Sequence, residues 1–448
     1  MKLMKIFSGD NFSAIYYEML GSGYRSAEPY TESRIGEVKD LGPVYFEIKE
    51  DKFRFPYLDK RAINPFFALA EFSWIITGSN QLKPLQFFIK NYHKYSDDGE
   101  TLNGAYGHRL RYKFDIDQIE KAIEGLRKNP GSRRIVLTMW SVDDLLSDSN
   151  DLPCNTSIML KIRNEKLDIT IINRSNDLFM GVPYNVFVFY LLQVYLASKI
   201  GCRIGVQRHF TDSLHIYKRD MDKINKVIAS NNKKTIEAIP EIIPVFNTDS
   251  YVNIDHNKVN NQDYDELVND EISNFFKSYI VYKSTSDFDK AIKMLPKNIL
   301  GYVAYLWYSE RKGFVGSDNY FSKIRQEINM ENRLDKIYSL KYESEDTIKE
   351  FITDISRKYL HLYDEFFNII NIESGFYSVK KENINKEKLV QAVFLSFVMA
   401  SVASSMAPDT NQFFTRRVEN VAKGLGLEIN DILNFTKHES KFTALIKC

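Results

Sequence analysis

The sequence predicts an α/β fold followed by an all-helical C-terminal region, and three observations carry that prediction. Residues 1 to about 220 mix strand-like and helix-like patterns. Within them, the stretch from Asn185 to Ile200 (NVFVFYLLQVYLASKI) is apolar nearly all round, as a buried central helix requires. After about residue 245 the character changes, and polar Asn/Asp/Lys-rich stretches such as VNIDHNKVNNQDYDE separate amphipathic helical patterns. The expected division is residues 1–240 and 241–448.

In chain order, Asn64-Pro65 starts a helix, with Asn as the cap and Pro in the first turn, and the run FFALAEFSWIIT stops at Gly78. Arg133 to Trp140 and Ser157 to Arg163 have strand composition. Asn164-Glu165 makes a turn, and Leu167 to Asn173 returns as a strand. The central helix ends at Gly201, and Arg203 to Tyr217 reads as extended. Farther on, Phe413, Phe414, Val418, Val421 and Ala422 recur at helical spacing.

Composition narrows the function classes. The net charge is +1, which gives no global steering toward nucleic acid or an anionic membrane, so an anion site must be local. Lys380 to Lys388 (KKENINKEK) reads as a solvated face because its acidic residues offset the lysines. The three cysteines, Cys154, Cys202 and Cys448, form no CxxC pair, so neither a disulfide framework nor structural zinc is expected. The N-terminus lacks the apolar core of a signal peptide. Leu389 to Met406 is short for a bilayer span and interrupted by Gln391 and serines, so it reads as a buried helix. The expected location is the cytoplasm.

Several residues could carry chemistry. Cys154 follows a proline and opens a strand; by residue type alone it is a small buried core residue. Glu71 is the single charge in the apolar run from Pro65 to Ile76, so it is either on a solvated helix face or a buried carboxyl with a raised pKa and a task, and its apolar neighbours favour the second. Arg133 and Arg134 start a strand and suit either a solvated end or a phosphate grip, though neighbours on a strand face opposite ways. In NRSNDLFMGVPYN, Arg174, Ser175 and Asp177 precede Gly181 and Asn185. Asn185 is either the cap of the central helix or a reader of an amide-like ligand edge, since it offers both donor and acceptor. His215 and Tyr217 share a strand face and could bond a sugar hydroxyl. A Cys/His hydrolase built on Cys154 and His215 is open by residue type, although nothing places a base beside the thiol.

Taken in order, AEFSWIITGSN, NGAYGHRLR, PGSRRIVLTMW, LPCN, NRSNDLFMGVPYN and DSLHIY resemble the thymidylate synthase superfamily over roughly residues 15 to 220. The resemblance implies a large, mostly antiparallel or mixed sheet with surrounding helices, and a homodimer. It also implies transfer of one carbon from 5,10-methylenetetrahydrofolate to C5 of a uridine monophosphate, with dUMP as the expected substrate, without a metal. Cys154 would attack C6 of the base, its pKa lowered by nearby arginines from the free value of about 8.5. Glu71 and Tyr106 would be catalytic. Arg174, Ser175, Arg34 and, from the partner subunit, Arg133 and Arg134 would hold the phosphate. His215 and Tyr217 would bind the sugar, Asn185 the uracil edge, and Asp177, Tyr92, Tyr95 and Gly181 the folate.

The chain also departs from the family pattern. Tyr92 and Tyr95 stand where synthases carry a tryptophan pair, Asn155 replaces the histidine after the nucleophile, QRSGD has become NRSND, and the usual C-terminal tail is not recognisable. Such changes bear on whether water or hydride reaches the transferred carbon, and hence on a hydroxymethyl or a methyl product. A non-catalytic nucleotide-binding regulator is the remaining alternative. Nucleic acid and membrane are not expected as partners.

Overall fold

The computed structural model describes residues 4–49, 54–232, 236, 254–265, 270–296, 299–312, 370–373 and 376–379. The stretches 380–388, 389–406 and 413–422 considered above, and Cys448, lie outside the described residues.

The N-terminal part runs β1 (Lys5–Gly9), α1 (Phe12–Tyr24), β2 (Tyr30–Thr31), β3 (Val38–Asp40), β4 (Val44–Ile48) and α2 (Pro65–Ile76). Then come α3 (Leu82–Gln86), a 3-10 turn (Lys90–Tyr95), α4 (Tyr106–Arg111), α5 (Gln118–Lys128), β5 (Ile135–Thr138) and a second 3-10 turn (Val142–Leu146). The remainder of the sheet region is β6 (Asn155–Arg163), β7 (Lys166–Asp177), α6 (Gly181–Ile200), β8 (Arg203–Tyr217) and α7 (Met221–Ser230). Among the described residues, eight strands form one mixed sheet in the order β1-β4-β8-β7-β6-β5, with β3 also on β8 and β2 on β3. β1 is parallel to β4 and β7 to β8; β4–β8, β7–β6 and β6–β5 are antiparallel.

Local chemistry explains the elements. Asn64 Oδ1 accepts from the N–H groups of Phe66 and Phe67, and Gly78 at φ +73° ends the first long helix of the core. Asn164 and Glu165 both have positive φ, the geometry of a two-residue hairpin turn whose twist matches the strands it joins. α6 begins at Gly181, one turn before Asn185, so Asn185 is not its cap. Pro183 is tolerated because the first-turn N–H groups have no intrahelical partner. Gly201 at φ +88° closes the helix. By length and apolarity α6 could cross a bilayer, yet 72% of that window is buried inside the fold.

The division of the chain falls near residue 330 rather than 240: Met1–Asn329 is one compact unit and Met330–Cys448 a second. The physical reason is a shared core. Helices His256–Asn260, Asp270–Thr285, Phe288–Lys293 and Ile299–Lys312 bury Phe275, Phe276, Trp307 and Tyr308 in the same apolar cluster as α2, α5, α6 and the sheet. Phe66 on α2 is ringed by Phe275, Tyr279, Tyr308 and Trp307 at 4.4 to 5.7 Å between centroids. The same face of α2 is tied by polar contacts: the His256 ring nitrogen lies 2.9 Å from Ser73 Oγ, and Asn260 Nδ2 donates to Thr77 Oγ1. In the second unit, expected to be all-helical, the described residues form an antiparallel pair of strands, β9 (Ile370–Glu373) with β10 (Phe376–Val379).

Candidate active site

The thiol sits where the loop 151–154 runs into β6. Arg174, near the end of β7, holds that loop in place. Its backbone N–H donates to the Cys154 carbonyl (2.9 Å), its Nε to Pro153 O (3.0 Å) and its Nη2 to Leu152 O (3.1 Å). Nη2 also lies 3.9 Å from Cys154 Sγ, and the guanidinium stands over the Trp140 ring at 5.6 Å. A cation therefore touches the thiol, and Nη1 has no protein partner among the described residues, leaving it open to an anion. The pKa expectation is corrected, however. Burial pushes the Cys154 thiol above its ordinary value and Asp151 and Asp177 add to this; Arg174 and Arg34 oppose it without prevailing. Burial thus favours the thiol over the thiolate at this position.

Opposite stands α2. Burial raises the Glu71 carboxyl to about 8, against a smaller lowering by the Tyr92 hydroxyl bonded to it. Glu71 is therefore largely a neutral acid at pH 7. Tyr106, at the start of α4, is held well above its ordinary pKa by burial; Cys154, Glu71 and Asp151 add to this and the Asn155 amide opposes it. Gly107 permits this placement, since a Cβ there would collide with the Ile75 backbone of α2. Tyr92 and Tyr95 stand edge to face at 5.6 Å; the first faces Glu71 and the second is 38% exposed.

The parallel pairing of β7 with β8 builds the third wall. Ser175 lies opposite Ser213 and Asp177 opposite His215 in register. Ser175 Oγ is 3.3 Å from His215 Nδ1, and the His215 and Tyr217 rings meet edge to face at 5.3 Å. Asp177 Oδ1 accepts from the N–H groups of Phe179 (2.8 Å) and Met180 (3.1 Å), setting the turn into α6. Burial raises its carboxyl despite these bonds and the nearby His215. Gly181 has a steric role: a Cβ there would collide with Asn176 Oδ1. Asn185, one turn into α6, donates from Nδ2 to Asn176 Oδ1 at 3.3 Å.

Arg34 reaches in from the loop after β2, bonded to Asn150 Oδ1 at 3.1 Å, and acts on both Cys154 and Asp151. Arg133 and Arg134 are not brought to the thiol. Both are exposed at the entry to the edge strand β5, and among the described residues neither side chain makes a contact with the site.

Asp151 and Asn173 escaped the sequence reading, and Asn155 entered it only as a departure from the family pattern. Asp151 lies close enough to raise Cys154, Tyr92 and Tyr106, and its Oδ2 accepts from the Gly104 N–H at 2.7 Å. Asn155 is fully buried and, among the described residues, neither of its amide atoms has a hydrogen-bond partner; Asn173, its register partner on β7, has a buried Oδ1 likewise without a partner among them. The signal available for the last two was polar residues standing where the strand pattern calls for apolar ones.

A family model described as thymidylate synthase matches residues 20–272. A deoxyuridylate hydroxymethyltransferase of Bacillus phage SP01 is 33% identical over 230 residues, 48% of this chain and 60% of that protein. One of Pseudomonas phage M6 is 37% identical over 202 residues, 42% of this chain and 58% of that protein. A thymidylate synthase of Lactococcus lactis subsp. cremoris is 28% identical over 207 residues, 44% of this chain and 73% of that protein. The chain thus spans about three fifths of the length of these two phage relatives.

Proposed function

The chain belongs to the thymidylate synthase family, and we propose that it is a folate-dependent enzyme that places a one-carbon unit on C5 of dUMP, with a 5-hydroxymethyl product. The observation that carries the reading is the Cys154 thiol, touched by the Arg174 guanidinium at 3.9 Å and sharing its surroundings with the raised Glu71 acid through Tyr106.

In this reading the nucleotide phosphate engages Arg174 Nη1, Ser175 and Arg34. Arg133 and Arg134 of the partner subunit complete that grip in a homodimer. Exposed apolar side chains near β5 support such a partner: Val136 and Met159 face each other across β5 and β6, and Leu145 and Leu146 are 75% and 86% exposed. Arg133 and Arg134 precede β5 rather than lying within it, so the alternation of strand faces does not constrain them. His215 and Tyr217 meet the sugar. Asn185 presents an acceptor to the uracil N3–H and a donor to O4.

Glu71, neutral at pH 7, lends its proton to O4, so that electron density leaves C6 as the Cys154 thiolate bonds there. The C5–C6 electron pair then makes C5 the carbon nucleophile. Asp177 and Tyr95 suit the folate: among the described residues no hydrogen bond reaches Asp177 Oδ2, and Tyr95 offers a partly exposed ring. When bound, the folate supplies a methylene at the oxidation level of formaldehyde. The C5 proton is then lost and tetrahydrofolate departs; the exocyclic methylene left on C5 takes either water, giving hydroxymethyl, or hydride from tetrahydrofolate, giving methyl and dihydrofolate, and the Cys154–C6 bond breaks. The buried Asn155 amide, unpartnered and near Tyr106, favours a bound water. The named activity of the two phage relatives favours the same outcome. These dissolved reactants fit a cytoplasmic enzyme.

The test is mass spectrometry of the product from dUMP and methylenetetrahydrofolate, with dCMP, UMP and CMP in parallel. A hydroxymethyl group with tetrahydrofolate is expected. A methyl group with dihydrofolate would make the chain a synthase, and no product from any nucleotide would leave a nucleotide-binding regulator. Cys154→Ala is expected to abolish exchange of the C5 proton while nucleotide binding persists.

A further inference from the structure

Resting on the uracil-reading role proposed above for Asn185, we infer that Asn176 is a specificity-positioning residue that sets which way the Asn185 amide faces the base. A carboxamide is pseudosymmetric: turned over, it exchanges its acceptor for its donors. With Oδ1 facing N3 it matches uracil; with Nδ2 facing N3 it matches cytosine. Nothing in the covalent structure of Asn185 chooses between them.

The choice lies in its neighbour. Among the described residues the single hydrogen bond of the Asn185 side chain is the one its Nδ2 donates to Asn176 Oδ1, at 3.3 Å. Asn176 is 4% exposed, at the end of β7, one residue before Asp177. Its Oδ1 occupies the space that a Cβ of Gly181 would need, so the first residue of α6 is matched to this amide. Its own Nδ2 is buried and has no protein partner among the described residues. The pair is therefore held by its mutual bond, and an acceptor at position 176 commits Asn185 Nδ2 to the protein and Oδ1 to the base. Replacing that acceptor releases the amide.

The experiment compares dUMP and dCMP binding by titration calorimetry, which needs no turnover, for the wild-type chain, Asn176→Ala and Asn176→Asp. The wild type is expected to prefer dUMP. Asn176→Ala should lower the dUMP to dCMP affinity ratio by about tenfold, the weight of one amide hydrogen bond. Asn176→Asp can only accept, so it should keep the wild-type ratio even if the buried charge lowers the melting temperature. Far-ultraviolet circular dichroism checks that each variant is folded, and an Asn176→Val variant, which also lacks an acceptor, replaces Asn176→Ala if the latter is not. A preserved ratio in the acceptor-free variant overturns the inference while leaving the enzyme assignment intact. A wild-type chain that binds neither nucleotide overturns the functional reading and this inference with it.

Discussion

Two buried polar clusters, one around Arg109 and one around Asn155, differ in completeness. Around Arg109 on α4, every guanidinium N–H finds an acceptor. Asp144 takes a bidentate pair at 2.6 and 2.9 Å, Met139 O another at 2.9 Å, and Asn103 the rest at 2.8 and 3.4 Å. Both partners are sealed, at 0% and 4% side-chain exposure. Around Asn155, by contrast, amide atoms are equally buried and carry no partner. A satisfied cluster holds the backbone in one arrangement. An unsatisfied one costs stability and is retained where something else supplies the missing bonds. The first pins α4 against the Val142–Leu146 turn; the second faces the side of Tyr106 that the site uses.

The largest effect expected is on Glu71, which stands on the reactive side of that contrast. Glu71→Gln should reduce kcat by about 10²- to 10⁴-fold, the range for a lost general acid. In the wild type kcat/KM should fall as pH rises through about 8, where Glu71 gives up its proton, and the variant should lack that limb. Stability carries the same signature. Because the folded pKa is raised above 4.5, the folded chain holds a proton between pH 4.5 and 8 that the unfolded chain does not. Its contribution is complete below pH 4.5 and is lost as pH rises to 8. Urea unfolding at pH 5 and pH 9 should show a smaller decline in Glu71→Gln than in the wild type.

Asp144→Asn probes the satisfied cluster and should act on stability instead, by about 3–5 kcal/mol, because it strands a buried guanidinium. Burial alone would raise the Asp144 carboxyl, but the bonds from Arg109 and the Ser141 N–H prevail and hold it below the usual range. That stabilisation is present above the unfolded carboxyl pKa and fades as pH falls through the lower folded one. Denaturant midpoints from pH 7 downward measure it, and an unchanged midpoint would remove the distinction between the clusters.

What the sequence disclosed follows the range of the forces involved. α2 was legible because its start and stop are local: an Asn cap, a proline in the first turn, a glycine at φ +73°. The β6–β7 hairpin was legible because Asn164-Glu165 interrupts two runs of strand composition. Glu71 stood out as one charge in an apolar run, and its raised pKa is the consequence of that placement. The start of α6 was misplaced because Gly181 and Pro183 look like breakers, while the turn that launches the helix depends on Asp177 accepting two N–H groups. Asp151 was missed because it meets Cys154 through the fold of a loop with no periodic pattern. The packing of residues 254–312 onto α2 was hidden for a similar reason, since Ser73 and His256 are 183 positions apart. The rise of the thiol pKa was missed because counting arginines ignores burial, which here outweighs them.

The smallest and most discriminating change is Asn155→Val. Valine suits a strand and removes two buried polar atoms that have no partner at full hydrogen-bond geometry among the described residues, so what is lost within the protein is only the looser contact with Tyr106. Stability should therefore stay within about 1 kcal/mol of the wild type or rise, the opposite of Asp144→Asn. Catalysis should suffer instead: with the amide gone, a water beside Tyr106 loses its anchor, and the hydroxymethyl product should form about tenfold more slowly. Deuterium-labelled C5 separates the two halves of the reaction. Exchange at C5 reports attack by Cys154 and should persist, while the appearance of hydroxymethyl should lag behind it. Should the variant unfold as readily as Asp144→Asn, Asn155 would belong with Arg109 as a structural residue. Should both exchange and product form at wild-type rates, the open amide would have no part in the chemistry.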